Sequence, residues 1–598
     1  MTDRSSKTAG HAPGTEPTHT GLVYQAVTLT RATFSSPAGK ALLWLVIAVV
    51  LVLIATAYGQ IRLNRWNKPF YDAMSRRDLR DFLFELGVFF VIAGFLLVLN
   101  VMQRWLAETL ELKLREGLVH NLLKEWMRPR RAFWLANSGT IGVNPDQRMH
   151  EDARHLTELS ADLAVGLLQA SILFASFAGV LWGLSSEFSV RFGDHDYTIP
   201  GFMLWAAILY ASGGSLLSYW VGRGLVSRNA ERYAREADLR FSLVRVNEHV
   251  DAICLAAGEA DEKQRIERNL RSVITATRRI VWGHTKLTWV TAGFGWVTNV
   301  APILVAAPLY FMGKISFGGL MMAAAAFNQA QSSLRWFIDN FSSIADWRAT
   351  LLRVASFRHA LVVIHEPQGF ESRIGYIEGA PGTIEIDDLE IISTANADRL
   401  KETKVAVRSG ERILILGAPG TGKTQLFRAL AGLWPWGAGQ ITRPRGEQLF
   451  YLPRGTPYLP RGTLREVLAY PQKADTYGES AYTRALYRFG VERLALMLDE
   501  NHRWDRELSQ DEQLCLVFAR ILIQNPPWVL LDGTFGVLDD DVLELVTDVF
   551  TNELKATSLI HIGGPGEAHP LFSTVLHLVK SSRSPEGSAA LKAPEVRR

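Results

Sequence analysis

At 598 residues the chain is too long for one compact core and fits two to four units of roughly 150 residues. Apolar residues make up 48% and charged residues only 21%, more apolar than an ordinary soluble protein, which disfavours an all-soluble chain. Lys plus Arg number 64 against 60 Asp plus Glu, a net charge of +4, which excludes a polybasic nucleic-acid scaffold unless charge is segregated locally. The only two cysteines, Cys254 and Cys515, form neither a disulfide framework nor a CxxC metal site, and both read as buried apolar filler.

The apolar excess is concentrated in the first 340 residues. Residues 41–58 carry no charge over 18 positions, close to the roughly 20 that a helix needs to cross about 30 Å of hydrocarbon. Similar runs follow at 86–102, 163–184, 199–222, 287–312 and 315–330, giving six expected spans; the last is weakest, because it holds Asn328 and Gln329. A cleavable signal peptide fits poorly, since some 40 mostly polar residues precede the first run.

Basic residues orient these spans. Nine lie between Arg104 and Arg154 and twelve between Arg223 and Arg279, whereas the two short connections hold only Arg191 and Lys314. Excess positive charge marks the cytoplasmic side, so the long connections and both termini are expected inside. The first connection conflicts with this scheme: Arg62, Arg65, Lys68, Arg76, Arg77 and Arg80 would lie outside. Leu112, Leu114, Leu118, Leu122 and Leu123 recur at helical spacing among charges, so the long connections read as helices continuing past the membrane. Such extensions are either solvated charged faces or arms that reach a soluble domain. Residues 144–148 (Asn-Pro-Asp-Gln-Arg), with Glu151 and Asp152, read as a polar helix start with Pro145 in its first turn, or as a pairing or coupling element. Residues 67–72 read as an end-of-span anchor with interfacial aromatics.

Beyond about Pro367 short apolar runs bounded by Gly and Pro indicate an α/β domain, with strands at 383–386 and 412–416. The second strand leads into Gly417-Ala418-Pro419-Gly420-Thr421-Gly422-Lys423-Thr424 and then an apolar helix at 425–433. This is GxxxxGK[ST] in its strand-loop-helix setting: backbone N–H groups close around phosphates, Lys423 reaches the terminal phosphates and Thr424 suits Mg²⁺. A further strand, 528–531, ends in Asp532, 109 residues after Lys423, the usual second Mg²⁺ anchor of phosphate-loop nucleotidases. Between them stands Leu508-Ser509-Gln510-Asp511-Glu512-Gln513, ahead of an apolar helix.

The order of these motifs resembles an ATP-binding cassette domain. Residues 431–437 (AGLWPWG), 457–465 (PYLPRGTLR) and 144–148 (NPDQR) are similar to segments of the SbmA/BacA-like and peroxisomal half-transporter group, and the resemblance covers roughly residues 25–580. It implies a membrane all-α, six-helix exporter-type transmembrane domain (25–365) fused to an α/β P-loop cassette (366–580), with disordered tails at 1–24 and 581–598. It implies ATP and Mg²⁺ as cofactors, nucleotide contacts from Gly417, Ala418, Pro419, Gly420, Thr421, Gly422, Lys423, Thr424, Gln425 and Ser509, and metal contacts from Thr424 and Asp532. The implied partners are a second copy or a related half, membrane lipid, and a peptide or similar hydrophilic solute, with no nucleic acid. The implied setting is a bacterial inner membrane crossed several times, with the cassette and both termini cytoplasmic.

Four departures fall on residues that such cassettes use for hydrolysis. Gly533 follows Asp532 where the family has a glutamate, Gly564 stands at the switch histidine, Arg454 replaces the loop glutamine, and Asp511 replaces a signature glycine. No residue is therefore assigned as catalytic. Losing a general base costs about 10²- to 10⁴-fold in rate. A carboxylate some 5 Å from a phosphate charge costs about 3 kcal/mol at an effective dielectric of about 20. Either the cassette binds nucleotide with weak turnover, or His561, Asp539 or Asp540 positions water instead. Three functions compete: an ATP-driven importer, a gradient-driven carrier whose cassette only binds nucleotide or holds the dimer, and a hydrolysis-deficient half of a heterodimer.

Overall fold

The computed structural model describes residues 22–34, 37–136, 145–185, 189–192, 195–198, 200–363, 373–393, 397–567 and 569–581. Most of the two expected tails, and Asn144 of the NPDQR segment, lie outside the described residues. The chain forms two compact units, residues 1–365 and 366–598.

The first unit is helical: α1 Leu22–Phe34, α2 Gly39–Arg76, α3 Leu79–Trp126, α4 Arg131–Ala136, α5 Pro145–Gln147, a π-helical turn Arg148–Asp152 and α6 Ala153–Leu184. A hairpin follows, β1 Ser189–Phe192 with β2 His195–Thr198, then α7 Phe202–Gly222, α8 Leu225–Glu248, α9 Val250–Leu255, α10 Glu259–Phe311, α11 Phe317–Asp339 and α12 Phe341–Val363. Among the described residues five helical stretches, rather than six, are long and apolar enough to cross a membrane: 39–76, 79–126, 145–184, 202–248 and 259–311. The expected sixth is α11, whose composition falls short. Its burial explains why: Ala323, Ala326, Phe327 and Ala330 pack with Phe177 and Leu181 of α6, Ala207 of α7 and Ala306 of α10. A helix enclosed by other helices needs small residues for close approach more than it needs apolarity towards lipid.

The basic first connection is not a loop. Helix α2 runs through Arg76 with Pro69 inside it, and α3 starts at Leu79, capped by Asp78, whose Oδ1 accepts from Arg80 N at 3.0 Å and Asp81 N at 3.2 Å. Arg62, Arg65 and Lys68 therefore ride on a helix that outlasts the apolar run, Arg76 ends that helix and Arg80 stands in the first turn of α3, so their charges stay at this end of the span. Asp72 of the same helix accepts from Ser316 Oγ and Gly318 N, each at 2.8 Å. A Cβ at Gly318 would lie 2.0 Å from Lys68 O, so the α2–α11 crossing requires glycine there. Asp152 is buried and doubly paired, with Arg148 at 2.7 Å and with Arg353 of α12 at 3.0 Å. The polar segment thus works inside the unit as a tie between α6 and α12. Cys515 is buried as expected but Cys254, at the end of α9, is exposed.

The second unit is built on a ten-stranded sheet. In chain order come β3 Gly375–Gly379, β4 Thr383–Ile392, β5 Ala397–Leu400, β6 Lys404–Arg408, β7 Arg412–Gly417, α13 Lys423–Leu430, β8 Gly437–Pro444, β9 Leu449–Leu452, β10 Gly462–Thr463 and α14 Leu464–Ala469. Then follow α15 Glu479–Arg488, β11 Asn501–His502, α16 Trp504–Glu507, α17 Gln510–Gln524, β12 Trp528–Asp532, α18 Asp540–Asn552, β13 Ser558–Gly563 and β14 Thr574–Lys580. Strands β9, β12, β13, β7 and β14 lie side by side and parallel, while β5, β4, β6 and β8 form an antiparallel arm. Every residue of β12 is buried, as a central parallel strand covered on both faces requires. Helix α13 begins two residues earlier than its apolar pattern and stops at Leu430, because Gly432 turns the chain at φ +70°.

Register sets up the site. Leu416 of β7 pairs with Gly563 of β13, and Ile562 of β13 with Asp532 of β12. The carboxyl ends of three parallel strands therefore lie together, the usual place for a ligand on such a sheet.

Candidate nucleotide-binding site

Residues 417–424 leave β7 as a turn and enter α13, so the N–H groups of that helix's first turn face the loop. Gly420 takes φ +81°, the left-handed conformation a glycine tolerates. Thr421 Oγ1 donates to Ala418 O at 2.7 Å and Lys423 Nζ to Gly417 O at 3.0 Å, closing the loop on itself. A Cβ on Gly417 would lie 2.6 Å from Thr421 Oγ1, so the closure needs that glycine. Gly417 is buried, Ala418, Pro419 and Gly420 are exposed, and Thr421 through Gln425 are half-buried.

An anion already sits against this loop. Asp398 of β5, 1% exposed, accepts from Gly422 N at 3.1 Å through Oδ2, while its Oδ1 has no hydrogen-bond partner. Burial pushes its carboxyl above the ordinary range, against the opposing pull of the Gly422 N–H and Lys580. Asp532 stands across the loop, 2% exposed and near enough to Thr424 for that hydroxyl to favour its ionised form. Burial raises its carboxyl also, although the Thr424 hydroxyl and the charges of Arg454 and Lys423 work the other way. Its Oδ2 is buried without a partner. A hydroxyl beside a buried carboxylate with an unused oxygen suits a hard divalent cation, and an N–H that already holds a carboxylate suits a phosphate. The residues present fit a Mg-nucleotide.

Residues 29–311 match the family model described as ABC transporter transmembrane region 2, and residues 400–536 match the model described as ABC transporter. The chain is an ATP-binding cassette half-transporter. The half-transporter is 26% identical over 523 residues to the Escherichia coli inner membrane ABC transporter ATP-binding protein YddA, covering 87% of this chain and 91% of that one. It is 27% identical over 524 residues to an uncharacterized ABC transporter ATP-binding protein of Haemophilus influenzae, covering 88% and 86%. It is 28% identical over 565 residues to ABC transporter D family member 2, chloroplastic, of Arabidopsis thaliana, covering 82% and 77%. The cassette match implies ATP binding, and half-transporters typically work in pairs.

The departures acquire geometry in this half-transporter. Gly533 sits at φ +61° and donates its N–H to Ile562 O at 2.7 Å. A Cβ there would lie 3.5 Å from Arg454 Cδ, so the arginine at the glutamine-loop position passes over the glycine at the glutamate position. Ser509 does not join the loop cluster. It caps α17, accepting from Glu512 N at 3.3 Å while Glu512 Oε2 accepts from Ser509 N at 3.0 Å. With Asp511 and Glu512 in the first turn, the positive end of that helix is already met by its own carboxylates, which opposes a phosphate there.

His561, one of the residues considered for water positioning, is a strand residue with zero exposure, stacked on Phe535 with ring centres 4.6 Å apart. It cannot meet solvent water directly. Asp539 stands at the N-cap position of α18 without a side-chain cap bond and Asp540 starts that helix, both exposed, without polar contacts to the loop among the described residues. Sequence reasoning missed Asp398, because a single Asp in an antiparallel arm 19 residues before Gly417 carries no motif. It also missed Glu567, which the fold brings to the end of β13.

Proposed function

We propose that the protein is an SbmA/BacA-like transporter of a bacterial inner membrane that takes up peptides or similar hydrophilic solutes. Two copies form the pathway and Mg-ATP binding closes the cassettes, which face the cytoplasm with both termini. Gly417 to Gln425 hold the phosphates and Thr424 with Asp532 the metal. The supporting observation is the half-buried Thr424 beside the buried Asp532 at an intact phosphate loop, in a chain whose other half carries long apolar helices. The printed name of the Escherichia coli relative places that protein in the inner membrane, which favours the same setting here.

Gly533 and Gly564 favour a second reading, a gradient-driven carrier whose cassette binds nucleotide or holds the dimer without turnover. Uptake of a labelled peptide by cells expressing the wild type or Lys423→Ala separates the two. Uptake that falls to background in the variant supports the first. Uptake that survives the variant but collapses with a protonophore supports the second. Co-purification of an intact half-transporter would show instead that the working unit is a heterodimer.

A further inference from the structure

We propose that Glu567 supplies the water-positioning carboxylate that position 533 lacks, entering the nucleotide site from the turn after β13 rather than from the end of β12. The inference rests on the nucleotide-binding reading above. The turn is Gly564-Pro565-Gly566-Glu567, closed by Glu567 N donating to Gly564 O at 3.0 Å. It folds the carboxylate back over the strand end. Glu567 Oε1 accepts from Gly564 N at 2.7 Å and Oε2 meets His561 Nε2 at 2.7 Å.

Glycines line the recess that receives this group. A Cβ at Gly563 would lie 2.7 Å from Glu567 Oε2, and one at Gly536 would lie 3.0 Å from Oε1. Gly563 ends β13, the strand beside β7 and its phosphate loop, and Gly536 lies in the loop that leaves Asp532 of β12, so the carboxylate sits between the turn after β13 and the loop after β12. The Gly533 N–H bond to Ile562 O ties those loops together. The side chain keeps 20% exposure, in contrast to the sealed His561. Lys423 is near enough for its charge to act on Glu567, and although burial opposes ionisation, the His561 and Gly564 bonds and that charge hold the carboxyl below its ordinary range.

A carboxylate has about four acceptor sites, so two donors leave two for a water. His561, buried and stacked between Phe535 and Phe572, fixes the carboxylate and acts through it, as a positioning residue. In the step that follows, water oxygen bonds to the γ-phosphorus as the bond to the β-phosphate oxygen breaks. The electron pair leaves with ADP, and the water proton passes to Glu567, giving ADP and inorganic phosphate.

Glu567→Gln tests this in the full-length protein, because glutamine keeps the shape and an acceptor for Gly564 N while removing the base. Phosphate release from Mg-ATP is expected to fall at least about 100-fold. Affinity for a fluorescent Mg-ATP analogue is expected to hold or to tighten several-fold, since a negative charge near the phosphates is lost. Glu567→Asp, which keeps a carboxylate, should retain part of the turnover. Wild-type turnover in Glu567→Gln, loss of nucleotide binding together with turnover in that variant, or a wild type that binds Mg-ATP without turnover would each overturn the role of Glu567. Failure of the wild type to bind Mg-ATP at all would overturn the nucleotide-binding reading as well.

Discussion

The two sides of the nucleotide site have kept different things. On the phosphate-loop side every motif residue is present, the loop is closed by its own hydrogen bonds, and Thr424 meets a buried Asp532 with an unused oxygen. On the opposite side the glutamate position is a glycine in a left-handed conformation, the glutamine position is an arginine lying over it, and the signature helix carries its own acids. Holding a nucleotide and hydrolysing it are separable tasks, because the first needs donors and a metal anchor while the second needs one correctly placed base. The structure keeps the first in its original place and offers Glu567, on another loop, for the second.

The largest expected effect tests the retained side. Asp532→Ala removes a charge-assisted anchor, so Mg-dependent ATP affinity should fall on the order of 10- to 100-fold, at about 1.5–3 kcal/mol for a hydrogen bond to a charged group. Isothermal titration with and without Mg²⁺ reads this directly, and equal losses in both conditions would break the metal assignment.

Gly533→Glu sharpens the other side. A residue with a Cβ at φ +61° costs about 1–2 kcal/mol, and the new carboxylate would meet Arg454 before any water. The variant should melt earlier than the wild type and gain little phosphate release. A gain of 100-fold or more would show that the glycine alone disables the site.

Asp398→Asn gives the smallest effect. Removing a negative charge from the Gly422 N–H should tighten Mg-ATP binding several-fold. Because burial raises the folded-state pKa of Asp398, the stability linked to its protonated form is present below the unfolded value of about 4 and is lost as pH rises through the raised value. The wild type should therefore lose melting temperature relative to Asp398→Asn as pH climbs from about 4. Parallel curves for the two proteins would contradict the assignment.

Much of the cassette was legible in the sequence because its chemistry is local. The loop from Gly417 to Thr424 and the apolar strand ending at Asp532 declare their roles by neighbours in the chain. Glu567 and Asp398 do not, since each reaches the site through strand register, β13 beside β7 and β12 in one case and β5 beside β14 in the other. In the membrane unit, length and apolarity marked all six runs, and α11 was the weakest of them because its small and polar residues pack among other helices. The basic residues after the first span looked like a loop only because charge was read as the end of a helix, whereas α2 continues to Arg76. Ser509 matches its motif by position, and its hydroxyl oxygen accepts from Glu512 N as the cap of α17, which leaves its O–H free to donate.

This half-transporter is expected to bind Mg-ATP through its phosphate loop despite the altered hydrolytic side. Equilibrium binding of Mg-ATP to the purified full-length protein, measured beside Lys423→Ala, tests it most directly. Saturable binding in the wild type that weakens at least about tenfold in the variant is the predicted result. Equal affinity in the two proteins, or no saturable binding in the wild type, would contradict it.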